Sequence, residues 1–177
     1  MNTQQKAIPK SQAPALEVKL LNGDTWSLKQ QNPDFFTMVV FYRGLHCPLC
    51  KKYLEKLNEI QGDLESKGVN VIAISMDPEV RARKSKMDWN IENVNLGCEM
   101  DAETAAKWGL YLSESISPSE TPLFSEPGLF LVKPDNELYY ANVSSNPGGR
   151  PFLPSFVQLM DFLKSSNYPA RGEVVQL

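Results

Sequence analysis

The chain has 177 residues, of which 42% are hydrophobic and 22% are charged, and its net charge is −3 at pH 7. A chain of this size and composition predicts one globular domain with enough apolar side chains for a core. The balance is mildly acidic, and no basic face is interleaved with aromatic residues. These features argue against a nucleic acid or an anionic membrane as partner.

The first residues, "MNTQQKAIPKSQAP", lack the apolar centre of a secretory signal, and no later apolar run reaches the roughly 20 residues of a membrane span. We therefore expect a soluble, cytoplasmic protein. Three cysteines do not make a disulfide scaffold in a reducing compartment, so a close pair is expected to be redox-active or metal-binding. Residues 1–15 are polar and contain prolines, which predicts a flexible arm before a domain of residues 16–177.

The first half of the domain predicts a hairpin, a buried strand and a helix. Two short apolar runs flank Asn22-Gly23, a dipeptide typical of tight hairpin turns. "FFTMVVFY" is a near-continuous apolar run, as expected of a strand buried on both faces. An apolar stripe at helical spacing follows and predicts an amphipathic helix closed by Gly68. The stripe consists of Leu49, Tyr53, Leu57, Ile60 and Leu64.

The second half alternates strands and helices. "VNVIAIS" predicts a second buried strand, and "NLGC" a short one. Asp77 precedes Pro78, and Asp101 precedes "AETAAKW", so each carboxylate is predicted to cap a helix. "GLFLV" and "ELYYANV" predict a strand pair, and residues 153–163 a last helix. This order, with its crossover unit, predicts an α/β fold in which helices flank a central mixed sheet that carries an N-terminal hairpin.

The candidate chemistry lies in "FYRGLHCPLCKK", residues 41–52, where the strand leads into the helix. Pro48 suits the first turn of a helix and places Cys47 just before it, where free backbone N–H groups stabilise an anion. The pKa of a thiol there is expected to fall below the free value of about 8.5. Cys50 is within reach of a disulfide with Cys47. The cations expected to add positive potential are Arg43, Lys51, Lys52 and, when protonated, His46.

Other interpretations of these cysteines stay open at this point. The pair could be two buried thiols that pack as small apolar groups. A zinc site would need four ligands, and beyond the pair only His46 and Cys98 offer suitable donors, so no metal is expected. Cys98 could resolve a sulfenic acid, although its short apolar strand favours a structural thiol. His46 could equally be a loop residue without a role.

The chain resembles the thioredoxin-fold superfamily over roughly residues 15–165. Within it, the chain resembles the peroxiredoxin-like proteins of the alkyl hydroperoxide reductase/thiol-specific antioxidant type. "VVFYRGLHCPLCKKYLEKL" is similar to the strand, W-C-G-P-C motif and helix of thioredoxins, with His46 in the tryptophan's place. It is also similar to the Thr-x-x-Cys motif of peroxiredoxins, with Cys50 in the peroxide-attacking place and Cys47 in the threonine's. The two alignments give the cysteines different roles, so they do not decide whether Cys47 or Cys50 is the nucleophile.

Two later segments extend the resemblance. "SEPGLFLVKPDNELYY" is similar to the segment that begins with a cis-proline facing the active thiol, which implies a cis peptide bond at Pro127. Peroxiredoxins carry a catalytic arginine at that point, and this chain does not. "SNPGGRPFLPSF" is similar to the Gly-Arg segment before the last helix of many peroxiredoxins. That likeness implies that Arg150 restores positive charge near the thiols.

The resemblance implies a thiol-disulfide oxidoreductase that cycles Cys47 and Cys50 between dithiol and disulfide without a cofactor. Its substrate would be a peroxide or a protein disulfide, its electron donor a thiol such as a thioredoxin or glutathione, and its assembly a homodimer. The implied substrate-binding residues are Pro127, Arg43, His46 and Arg150. The alternative is a non-catalytic redox-sensing or partner-binding module that uses "SESISPSETPLFSEP", a long loop with little regular pattern, as its interaction surface.

Overall fold

The computed structural model describes residues 7–174. The helices within this range are α1 (Pro48–Ser66), α2 (Glu79–Asp88), α3 (Ala102–Lys107) and α4 (Leu153–Ser166), and a short 3-10 turn covers Leu28–Gln30. The strands are β1 (Glu17–Leu20), β2 (Thr25–Ser27), β3 (Phe36–Phe41), β4 (Val69–Ile74), β5 (Asn95–Cys98), β6 (Leu112–Glu114), β7 (Leu123–Ser125), β8 (Gly128–Val132) and β9 (Leu138–Val143).

Seven strands form one mixed sheet in the order β2-β1-β5-β4-β3-β8-β9. The neighbours β3, β4 and β5 run parallel, whereas β1 and β8 pair antiparallel to this central group. All six residues of β3 are buried, and they alternate between two cores: Met38 and Val40 face α1 and α4, while Val39 and Phe41 face the α3 side. The prediction of a mixed sheet flanked by helices, opened by a hairpin, is confirmed.

The buried face of α1 differs from the predicted stripe in its first two turns, where Cys50 and Leu54 replace Leu49 and Tyr53. Its fully buried residues are Cys50, Leu54, Leu57 and Leu64, and Leu49 is 45% exposed. Both sets share Leu57 and Leu64, and the first three residues of each recur at spacings of three or four, so the pattern alone does not separate them. In the structure, the buried face is the one that includes Cys50. Gly68 follows the helix with φ +83°, as predicted for its end.

Of the two predicted helix caps, one is confirmed. Asp101 Oδ1 accepts the Thr104 N–H at 2.7 Å at the start of α3. Asp77 does not cap α2, because the helix begins after Pro78 without a side-chain hydrogen bond at that position. The Asp77 carboxylate instead accepts the N–H of Leu45, in the loop before the cysteines.

Pro127 does not have the predicted cis bond, since residues 7–174 contain no cis peptide. Trans is the ordinary state, since only about 5–6% of X–Pro bonds in folded proteins are cis. The Pro127 carbonyl accepts the Ser144 N–H at 3.0 Å, which extends the β8–β9 ladder by one residue. A second difference concerns the segment "SESISPSETPLFSEP". We expected a loop without regular structure, but its two ends pair as β6 and β7.

Residues 7–15 of the predicted arm lie against the sheet. Lys10 N–H donates to Leu138 O, and Ala13 N–H donates to Asn136 O, so this part of the chain follows the start of β9. Residues 1–6 are outside the described range, and the boundary at residue 16 stays a prediction. Among residues 7–174, none of the helices combines the length and the apolar character needed to span a membrane.

Candidate active site

The loop of residues 43–46 links the end of β3 to the start of α1, and one buried carboxylate holds it. Asp77 is fully buried, and its Oδ2 accepts the Leu45 N–H at 2.7 Å while Arg81 Nε lies 3.2 Å from Oδ1. Gly44 has φ +134°, and a Cβ there would lie 2.7 Å from both Asp77 oxygens. The site therefore requires glycine at this position for two independent reasons.

Cys47 occupies the N-cap of α1, and Pro48 follows it at the first helical position. Its Sγ accepts the backbone N–H of Cys50 at 3.2 Å, so the sulfur satisfies one of the free donors of the first turn. Both thiols are free, with Cys47 1% and Cys50 0% exposed. The two cysteines thus lie one helical turn apart in a nearly closed site.

The two thiols differ in protonation. Hydrogen bonds from the Cys50 side chain and amide, together with the charge of Arg150 and a hydrogen bond from Arg43, outweigh burial and lower the pKa of Cys47 to about 5. Burial and the hydrogen bond to Cys47 raise the pKa of Cys50 well above its usual value, against the opposing charge of Arg150. At neutral pH the pair is a Cys47 thiolate beside a Cys50 thiol.

Arg150 reaches the pair from the segment before α4. Its Nη2 donates to Cys50 Sγ at 2.7 Å, and its Nη1 donates to Pro147 O at 2.5 Å. The guanidinium carbon lies 5.2 Å from the centre of the Tyr53 ring, and the Tyr53 hydroxyl donates to Pro151 O at 2.8 Å. Tyr53 therefore fixes both the guanidinium and the chain that carries it.

Arg43 belongs to a second polar group on the β7 side. Its Nε lies 3.3 Å from Oε2 of Glu126, which is only 4% exposed, and its guanidinium carbon is 4.8 Å from the centre of the Phe124 ring. Ser113 on β6 donates to the other oxygen of Glu126 at 2.7 Å. This ion pair and stacking contact connect the loop before Cys47 to the β6–β7 sheet.

His46 is not the cation that the sequence pattern suggested. Burial and the nearby charge of Arg43 lower its pKa below the usual value, so the ring is neutral at pH 7. The ring packs against Phe124 at a centroid distance of 4.7 Å, and neither ring nitrogen has a hydrogen-bond partner among the described residues. In this structure His46 contributes packing rather than charge.

The remaining candidates are Pro127, Cys98 and a possible metal site. Gly128 pairs with Phe41, so Pro127 stands at the end of the sheet that leads into the cysteines. Cys98 lies on β5, where its Sγ is 3.5 Å from Lys19 O and burial raises its pKa. Within residues 7–174, no group of three or more His, Cys, Asp or Glu side chains is placed to hold a metal ion.

Several residues of the site were not identified from the sequence. Tyr53 was predicted only as an apolar residue of the helix stripe, Asp77 only as a helix cap, and Phe124 only as part of a long loop. Glu126 is the one for which the sequence holds a signal: it lies two residues before the start of the buried strand β8, and a carboxylate that is buried there needs a partner. The partner itself, Arg43, was identified only as a nearby cation.

A mixed sheet of this topology flanked by helices has the architecture of the thioredoxin-like fold, and the cysteine pair lies at the first turn of the helix that follows the central strand. The model of the AhpC/TSA family matches residues 9–141, which is well over half of the sequence. The chain belongs to the AhpC/TSA family.

Individual relatives agree with this assignment. A thiol peroxidase of Aquifex aeolicus is 27% identical over 81 residues, which are 46% of this chain and 47% of that protein, so the match spans about half of the relative. A peroxiredoxin-like protein from Aquifex aeolicus superposes with a TM-score of 0.71 at 19% identity, covering 88% of this chain and 86% of that one. Peroxidoxin BcpB from Mycobacterium tuberculosis superposes with a TM-score of 0.72 at 13% identity, covering 88% of this chain and 97% of that one. At these identities the two structures support the fold.

Proposed function

We propose that the protein is a thiol peroxidase that reduces hydroperoxides with the electrons of Cys47 and Cys50. The observation that carries this proposal is the hydrogen-bonded pair itself: Cys47 Sγ accepts the Cys50 N–H at 3.2 Å, and Arg150 lies 2.7 Å from Cys50 Sγ. Membership of the AhpC/TSA family and the likeness to a thiol peroxidase support the reaction class.

In the first step the Cys47 thiolate attacks the terminal oxygen of the hydroperoxide. The O–O bond breaks, the terminal oxygen keeps its proton and makes Cys47 a sulfenic acid, and the departing alkoxide takes one proton from solvent and leaves as the alcohol. The lowered pKa of Cys47 supports its choice as nucleophile, because the thiolate is the reactive form. Arg150 and Arg43 supply positive charge at a site that lacks the hydrogen-bonding threonine and the catalytic arginine of peroxiredoxins. Cys47 is 1% exposed, so the covering side chains must move for substrate to enter.

In the second step the Cys50 thiol attacks the sulfur of Cys47. The S–S bond forms, the S–O bond breaks, and water leaves with the thiol proton. A reducing thiol partner such as a thioredoxin or glutathione then returns two electrons and two protons to the disulfide. We place the protein in the cytoplasm, a reducing compartment in which such a pair can be returned to the dithiol. A homodimer is the expected assembly.

A second activity, reduction of protein disulfides, is favoured by the position of Cys47. It caps α1 directly before Pro48, which is the arrangement of a thiolate that strikes a substrate disulfide and is released by its neighbour. Pro127, at the same end of the sheet, and His46 are the side chains proposed to line the substrate path in either reaction.

Stopped-flow kinetics test the proposal, with Cys47→Ser and Cys50→Ser compared against hydrogen peroxide and against oxidised glutathione. We expect wild type to react with peroxide, Cys47→Ser to lose the reaction, and Cys50→Ser to react once without forming a disulfide. Faster reaction with the disulfide than with peroxide would favour the reductase. A wild type inert to both would contradict the proposal and favour the non-catalytic module.

A further inference from the structure

A groove with a volume of about 320 Å³ lies on the outer side of Arg150, between α1 and the segment before α4. This is near the lower limit for small-molecule sites, about 300 Å³. Most of its lining is apolar, and two of the lining side chains are unusually open to solvent: Leu49 is 45% and Phe152 is 73% exposed. Exposed apolar side chains around a concave surface are a mark of ligand sites.

The charged side chains that line the groove are all cations: Lys52, Lys56 and Arg150. Lys56 pairs with Glu59, whereas Lys52 makes no ion pair with any described residue. The neighbouring Lys51 pairs with Glu55 and does not line the groove. An apolar groove with cations and no carboxylate in its wall is complementary to an amphiphile with an anionic head.

Arg150 supports the binding of an anionic head in the groove, because it has no carboxylate partner in the described chain. A guanidinium has five N–H donors. The described partners, Pro147 O and Cys50 Sγ, use two of them, and its buried Nε has none. Since a neutral thiol is a weak acceptor, an anion in the groove would be a better partner for this cation than Cys50 is.

We propose that the groove binds an aliphatic carboxylate, with the head at Arg150 and Lys52 and the chain over Phe152 and Leu49, and that this ligand tunes the reactivity of the thiol pair. The coupling follows from the position of Arg150, which contacts both the groove and Cys50 Sγ. A carboxylate on Arg150 offsets the charge that favours the Cys47 thiolate. Binding of the carboxylate does not depend on the proposed function. Only the effect of the ligand on turnover rests on that function.

Calorimetric titration of the reduced full chain with decanoate tests the site, with decanol as the uncharged probe. We expect saturable binding of decanoate, weaker binding of decanol, and a two- to fivefold loss of decanoate affinity, by rough estimate, in Lys52→Gln. The matched control Lys51→Gln should bind as wild type does. Phe152→Ser should weaken binding about tenfold, whereas Val80→Ser, which is equally exposed on α2, should not.

The coupling is measured by iodoacetamide alkylation of Cys47 against pH, with and without decanesulfonate, which stays ionised throughout. We expect the ligand to move the midpoint upward by about half a unit, and Lys52→Gln to reduce that shift. Absence of saturable binding, equal losses in Lys51→Gln and Lys52→Gln, or an unmoved midpoint would each overturn the proposal. None of these measurements involves peroxide, so a chain that binds decanoate but fails to reduce peroxide contradicts only the proposed function.

Discussion

Cys47 and Cys50 are three residues apart, yet their surroundings set opposite protonation states. Both lie in the core that α1 shares with β3, but hydrogen bonds from Cys50 dominate at Cys47, whereas burial dominates at Cys50. The motif in the sequence was enough to predict a lowered pKa at Cys47. It did not predict how far the pKa would fall, because part of the shift comes from Arg150, which lies far away along the chain and contacts Cys50, 100 positions before it.

This difference predicts the pH dependence of alkylation by iodoacetamide. Because the pKa of Cys47 is lowered to about 5, its thiolate persists above that pH, and its reactivity is lost as the pH falls through about 5. Peptide mass spectrometry should show Cys47 modified first, with that midpoint, and Cys98 unmodified at neutral pH because burial raises its pKa. A Cys47 midpoint near the free value of about 8.5 would contradict the assignment.

Gly44 carries a prediction about stability. Gly44→Ala should destabilise the fold by about 1–3 kcal/mol, because the residue has φ +134° and the added Cβ would meet the Asp77 carboxylate at 2.7 Å. The matched control is Gly62→Ala, in the interior of α1 with no atom within 4 Å of its Cβ position, which should stabilise by up to about 1 kcal/mol. Urea unfolding measures both. Equal effects of the two changes would show that the loop does not depend on Gly44.

At the scale of elements, β6 and β7 are the part that sequence patterns did not reveal. Each has only three residues, too few for an alternating pattern to be recognised. Their role is clear only in three dimensions: Arg43 pairs with Glu126 just after β7, and Arg81 Nη2 donates to Ser119 O between the two strands. Because Arg81 also holds Asp77, the β6–β7 sheet is fastened to the loop before Cys47 through two arginines.

The β6–β7 sheet should therefore control access to Cys47. Phe124→Leu, which removes the ring packed against His46 and Arg43, should raise the rate of Cys47 alkylation at neutral pH about fivefold, as expected when a local opening costs about 1 kcal/mol less. Leu123→Ala on the same strand is the control, because its side chain is 36% exposed and should leave the rate unchanged. Equal rates in wild type and both variants would show that this sheet does not cover the thiol.

At the scale of the whole molecule, the central elements were predictable and the contacts between distant segments were not. The fully buried β3 and the start of α1 at Pro48 follow from local patterns, since continuous burial and a fixed proline φ act within a few residues. The face of α1 and the partner of Asp77 depend on segments far away in the sequence. Arg150 was therefore identified as a site residue only from the resemblance to peroxiredoxins.

The central claim is that Cys47 and Cys50 form one redox pair, and mass spectrometry after one equivalent of hydrogen peroxide tests it most directly. The account predicts a Cys47–Cys50 disulfide in wild type with Cys98 still reduced, and a dimedone-trapped sulfenic acid on Cys47 in Cys50→Ser. A disulfide that includes Cys98, or a sulfenic acid that forms on Cys50 at the wild-type rate in Cys47→Ser, would contradict it.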